Sequence, residues 1–180
     1  MLGAFGILAA VIAARSTGKG SVIDAAMADG TALLMAMNYG WRNASAWVPH
    51  RSSNLLDGAA PFYRCYQTQN GNYIAVGAIE PKFYSALRKA LNLDDPIFAD
   101  QMNRENWPAM SQKIAAAVMQ MDETALQTAV ETPDACLSWV IPIEDAGKTG
   151  HMKDRKMIQQ IDGGITVATA PRFIPASKDE

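Results

Sequence analysis

The sequence is poor in the residues that build covalent or metal-held scaffolds. Only two cysteines and two histidines occur among 180 residues, and Cys65 and Cys136 stand far apart without CxxC or Cys/His spacing. That pattern suggests neither a disulfide framework nor a zinc site, and makes a reduced, cytoplasmic setting the default expectation. An excess of charge of one sign is lacking as well. Sixteen Lys and Arg against 18 Asp and Glu leave a net charge of −2 with no basic block, so there is no electrostatic footprint for nucleic acid. Neither GxSxG, HExxH nor GxGxxG is present, and Gly18-Lys19-Gly20-Ser21 misses the phosphate-loop spacing because glycine follows Lys19. A membrane-spanning run is also missing. The most apolar stretch, MLGAFGILAAVIAA, is too short to cross a bilayer, and Arg15 follows it where a signal peptide would carry its charge in front.

What is there fits one ordinary globular domain or two small lobes with a sizeable core: 49% of residues are hydrophobic and 19% charged. Residues 1–14 read as a buried helix that lacks a Ser, Thr, Asp or Asn cap, as in a chain cut out of a larger protein. Residues 16–21 form a glycine-bearing turn and Val22–Ala26 a short strand. From Asp29 to about Ala46 the pattern is helical and, from Met27 on, rich in methionine; Met27, Leu34, Met35 and Met37 suit either core packing or an adaptable apolar surface for a ligand or partner subunit. Pro49, His50, Arg51, Ser52, Ser53 and Gly58 then mark a linker or ordered loop, and with it a boundary between lobes. Strands at 62–67 and 73–76 flank the hairpin turn Gln69-Asn70-Gly71-Asn72. Helices are expected at 81–91, 107–120 and 122–131, the last capped by Asp122, and a strand at Leu137–Ile141. Residues 143–157 are ambiguous, and two strand-like runs around Gly163-Gly164 precede a polar tail. The mixture is α/β or α+β.

Glu80 is the residue that local rules explain least well. Pro81 suits the first position of a helix and pushes its predecessor to extended angles, so Glu80 belongs at a strand-to-helix corner. The helix N-terminus favours a negative charge there, yet glutamate is one carbon too long to be a preferred cap. A side chain that is locally second-best at an element junction is a functional candidate, against the plainer reading of a solvated carboxylate. His50 and His151 have no serine or cysteine placed by a motif to work with, and Asp57 most simply makes an Asp-Gly turn.

Several stretches carry more together than any residue alone: GILAAVIAARSTGKGSVIDAAMADGTALLMAM, NLLDGAAPFYRCYQTQNGNYIAVGAIEPKFYSAL, PDACLSWVIPIEDA and TAPRF. In these the chain resembles the family III CoA-transferase superfamily (CaiB/BaiF type), and within it the α-methylacyl-CoA racemases. The resemblance runs over nearly the whole chain. It implies an α/β fold with an α+β small lobe, corresponding to the C-terminal half of a subunit and lacking most of the Rossmann-like large lobe. It implies a large-lobe remnant at 1–25, a helical linker at 26–55, a small lobe at 56–150 and a returning segment at 151–180.

For function, the resemblance implies proton exchange at C2 of a 2-methylacyl-CoA thioester through an enolate, with coenzyme A as part of the substrate and no other cofactor. It places Glu80 in the active-site network and Tyr63 and Ile79 against the acyl group. It also implies an interlocked homodimer. The family's catalytic histidine and aspartate match nothing in these residues and fall before Met1, so a truncated protein that is inactive alone and needs a missing N-terminal half is the expectation. Three alternatives stay open: part of an acyl-CoA/CoA transferase, a non-catalytic module for oligomerisation or acyl binding, and a minimal enzyme using Glu80 with Asp57 or a histidine from another copy.

Overall fold

In the first 58 residues, apolar side chains form helices and stay on the outside. The computed structural model describes residues 1–174 and falls into two compact units, Met1–Gly58 and Ala59 onward. The first holds α1 (Leu2–Thr17), α2 (Met27–Leu34) and α3 (Ala36–Asn43). α1 is apolar all round, the composition of a helix covered on every side, yet none of its residues is buried within the unit. The expectation of a buried helix is therefore corrected: Phe5, Ile7, Leu8 and Ile12 are all exposed.

Val22–Ala26 is also corrected, from strand to irregular chain, because no neighbouring strand offers it a ladder. The segment lies against glycines of α1 instead: a Cβ on Gly6 would meet Ile23 at 2.9 Å. The long helix expected to run to about Ala46 breaks at Met35, where ψ opens to 2°, and so becomes α2 and α3. Trp41 near the end of α3 stacks on Trp47 of the following loop, with ring centroids 6.3 Å apart.

In the second unit the periodicities do what they promise. β1 (Tyr63–Gln67), β2 (Tyr73–Gly77) and β3 (Leu137–Trp139) make an antiparallel sheet in the order β1-β2-β3, with Tyr63 opposite Gly77 and Ala75 opposite Ser138. The hairpin closes through Gly71, whose φ of 81° needs a residue free to enter the left-handed region. α4 (Pro81–Ala90) buries Tyr84 and Leu87, and Leu91 continues that face just past its end. α5 (Trp107–Gln120) buries Trp107, Met110, Ile114 and Val118, a stripe at helical spacing. α6 (Glu123–Glu131) is capped as expected, with the Asp122 carboxylate accepting the Ala125 N–H at 2.8 Å.

These helices cover one face of the sheet. Phe62, fully buried, sits at the centre, edge-on to Tyr84 at 5.6 Å and to Trp107 at 5.7 Å. A short 3-10 turn, Pro96–Ala99, brings Phe98 into the same core. Asp95 caps that turn; its pairing with Lys113 at 2.6 Å, aided by the Ile97 N–H, holds its carboxyl below the ordinary range.

After β3 the ambiguous stretch resolves into two short helices, α7 (Ile143–Ala146) and α8 (Gly150–Asp154). β4 (Ile158–Ile161) and β5 (Gly164–Val167) form a separate hairpin that turns at Gly163. The polar tail at 175–180 lies outside the described residues.

Two tyrosines test the core. Burial pushes the Tyr66 hydroxyl, which donates to the Pro61 carbonyl, up to about 12, and does the same to Tyr84, which donates to Phe98. An unfolded tyrosine ionises near 10, so between about 10 and 12 the folded state holds protons that the unfolded state has lost. Stability should therefore fall as pH rises through that interval. In a phenolate absorbance titration, two of the five tyrosines should ionise only together with alkaline unfolding, as followed by circular dichroism.

Candidate functional site

Glu80 occupies the corner that Pro81 dictates. Its φ of −71° and ψ of 145° are extended, its carbonyl accepts the Tyr84 N–H that opens α4, and its carboxylate makes no cap bond to the helix. Among the described residues the carboxylate has no hydrogen-bond or ionic partner, and the side chain is exposed. The nearest cation in sequence, Lys82, is engaged with Asp134 at 2.6 Å. Glu80 is thus held by its backbone, with a carboxylate free to meet something outside the unit.

The other two resemblance-based positions lie at the same end of the sheet. Tyr63 pairs with Gly77 across the ladder, and the Ala78 N–H reaches the Phe62 carbonyl at 2.9 Å, so Tyr63 and Ile79 flank one junction. Tyr63 sits on the sheet face that the helices leave open. With Cys65, Ala75, Gly77, Cys136 and Ser138 it lines a shallow hollow of about 360 Å³. The floor is low because the β2 positions facing it are alanine and glycine. Cys65 and Cys136 are exposed free thiols there.

Gln101 escaped the sequence reading altogether. Its carboxamide Nε2 donates to the Ile79 carbonyl at 2.7 Å and to the Ala78 carbonyl at 3.3 Å. No periodicity or motif marks it, because the contact joins a loop to a strand end 22 residues earlier.

In the first unit, Asp57 is consumed by its own loop. Its carboxylate accepts the Ser53 N–H at 3.1 Å, the Asn54 N–H at 2.8 Å and the Asn54 carboxamide at 3.0 Å. Asn54 is 1% exposed and clasps Val48 through both its carboxamide atoms, so residues 48–57 form an ordered loop. Gly58 follows at φ 94°, as a turn after aspartate requires. His50 lines an open hollow of about 550 Å³ with Trp47 and Arg51, and His151 is exposed on α8. Among the described residues no group of three or more His, Cys, Asp or Glu is placed to hold a metal ion, and no helix is long and apolar enough to cross a membrane.

The whole chain, residues 1–180, matches CoA-transferase family III. It is 39% identical over 152 residues to the human protein called Alpha-methylacyl-CoA racemase, which covers 84% of this chain and 40% of that protein. The mouse protein of the same name is 36% identical over 150 residues, covering 83% and 39%. Among solved structures, a CaiB/BaiF family protein from Brucella suis superposes with a TM-score of 0.67 at 21% identity, covering 94% of this chain and 46% of that one. The mixed helical and stranded fold is thus part of the fold of those proteins, and the chain spans less than half the length of the relatives it matches.

The Asp57 loop yields a test. Hydrogen bonds to a charged acceptor contribute about 1.5–3 kcal/mol each. Asp57→Ala should speed amide hydrogen exchange at Ser53 and Asn54 by about tenfold or more, with Ile74 and Val76 in β2 unchanged. Unchanged exchange at Ser53 would mean that the loop is held by other contacts.

Proposed function

This chain belongs to CoA-transferase family III, and from that premise we propose that it is the small-lobe part of an α-methylacyl-CoA racemase-like enzyme. The reaction in this reading is a 1,1-proton transfer at C2 of a 2-methylacyl-CoA, passing through a thioester enolate. The observation that carries it is the junction at the end of β2, where Glu80, with extended backbone and an unengaged carboxylate, follows Ile79 at the end of the ladder on which Tyr63 pairs with Gly77. The 39% and 36% identity to parts of the mammalian racemases supports the substrate class.

Chemically, C2 exchange needs a proton acceptor on one face of the carbon, a donor on the other, and charge stabilisation at the thioester oxygen. Glu80 alone cannot stand on both faces. In this reading the chain contributes Glu80 to the proton network and Tyr63 and Ile79 to the acyl wall, and a histidine and aspartate from outside these 180 residues complete the site. No metal or cofactor is called for beyond the coenzyme A of the substrate. Residues 1–25 and 26–55 then act as large-lobe remnant and linker, 56–150 as small lobe and 151–180 as returning segment.

Deuterium incorporation at C2 of a 2-methylacyl-CoA in D₂O tests this. The chain alone should show none; supplied with a matching N-terminal half it should exchange, and Glu80→Gln should lower that rate by about 10²–10⁴-fold. Exchange by the chain alone that vanishes in Glu80→Gln would show that it builds the site unaided. No exchange from a folded complex that binds acyl-CoA would remove the racemase reading and favour a transferase or a binding module.

The same proposal includes self-association. A helix apolar from Leu2 to Ala14 whose Phe5, Leu8 and Ile12 are exposed within its own unit is a surface that rarely stays in water. Light scattering after gel filtration should give a dimer or larger species, and Leu8→Glu with Ile12→Glu should shift it toward monomer. A monomeric wild-type chain would overturn this part.

A further inference from the structure

Three residues, Ala78, Ile79 and Glu80, lie between the end of β2 and the first residue of α4 and belong to neither element. Their backbone is fixed from two sides. The Ala78 N–H is taken by the Phe62 carbonyl at 2.9 Å, and the carbonyls of Ala78 and Ile79 both receive the carboxamide of Gln101. Gln101 is half-buried and is itself held, since its carbonyl accepts the Trp107 indole N–H at 2.9 Å. Trp107 in turn stands edge-on to Phe62. The circuit from Phe62 through Ala78, Gln101 and Trp107 back to Phe62 is closed.

Because the Glu80 carboxylate has no cap bond of its own, the backbone just before it is what fixes the Cα–Cβ direction from which the side chain leaves the corner. We propose that Gln101 is the positioning residue for Glu80: by gripping the Ala78 and Ile79 carbonyls it sets the backbone at the corner and with it the place and Cα–Cβ direction from which the carboxylate is presented. This rests on the reading of Glu80 as a member of an acyl-CoA site. A carboxamide brings two N–H donors and no charge, which suits two neighbouring carbonyl oxygens. Methionine of similar length brings none. Glutamate would set a negative charge against those oxygens, unless protonated, when its O–H can donate to one of them. Placement matters on this scale because an error of about 1 Å in a reacting group costs about 10²-fold in rate.

The test compares Gln101→Met and Gln101→Glu in the isotopically labelled chain by NMR. In Gln101→Met the carbonyl carbons of Ala78 and Ile79 and the side-chain carbons of Glu80 should shift, while Ile74 and Leu126 keep their positions. In Gln101→Glu the same resonances should be displaced at neutral pH and return toward wild type as acid protonates residue 101, which a merely space-filling role would not produce. Glu80 resonances that stay put in a folded Gln101→Met protein overturn the proposal. So do changes spread through the whole unit with no acid-driven return in Gln101→Glu.

In the reconstituted exchange assay, Gln101→Met should lower kcat by about 10- to 100-fold with KM unchanged. Unchanged kcat, where Glu80→Gln has lost activity, also overturns the proposal. If Glu80 moves as expected but Glu80→Gln exchanges as fast as wild type, the functional reading falls while the geometric control by Gln101 stands.

Discussion

Phe62 is the residue on which the second unit depends. Its ring has no exposed surface and receives the edges or faces of Tyr84 from α4 and Trp107 from α5. Its carbonyl, on the same residue, accepts the N–H of Ala78 at the exit of β2. One residue thus locks two helices to a sheet and fixes the backbone where β2 hands over to α4. The corner carrying Glu80 is an extension of the core, held by the same contacts that hold the fold, and a rigid scaffold is what a precisely placed polar group needs.

The first unit meets the opposite constraint. Its helices form without burying a single side chain of their own, so little of their stability comes from packing within the unit. Short helices are marginal in water without tertiary support, and α2 and α3 have eight residues each. Burial of a side chain begins in the loop that follows, where Asn54 is buried and Asn54 and Asp57 satisfy one another and the surrounding backbone. Polar side chains do there what apolar ones do in the second unit. Covering the exposed apolar side chains of these helices would add stability in proportion to the apolar area removed from water.

The chemistry follows the same division. Asp57 accepts three local donors and is spent on structure, whereas Glu80 accepts none and remains available. Both carboxylates stand next to turn-forming residues, glycine after one and proline after the other; local rules read Asp57 as an Asp-Gly turn and leave Glu80 the poorer fit. Hydrogen-bond accounting separates them at once. An unpartnered carboxylate on a backbone corner that is itself fixed is an arrangement that a substrate or a second protein chain can complete.

Helical spacing of Trp107, Met110, Ile114 and Val118, the Asp122 cap, the hairpin glycine and the Glu80-Pro81 corner were all legible in the sequence. Each is decided by residues within a turn or two of one another, where sterics and local hydrogen bonds dominate. The family was legible for a different reason, since the spacing of its motifs along the chain is itself information. The rest depended on contacts between distant segments. Whether residues 22–26 pair as a strand depends on a partner strand that the fold does not supply, and the segment settles on the glycines of α1 instead. Whether an apolar helix is buried depends on what surrounds it, which composition does not specify. The grip of Gln101 on Ala78 and Ile79 exists only once the chain after the 3-10 turn has returned to the sheet. The sequence by itself determined the local elements, the family and the corner on which Glu80 stands; tertiary structure alone decided which polar groups that corner would be tied to, because a hydrogen bond between residues 22 apart is set by the path of the chain between them.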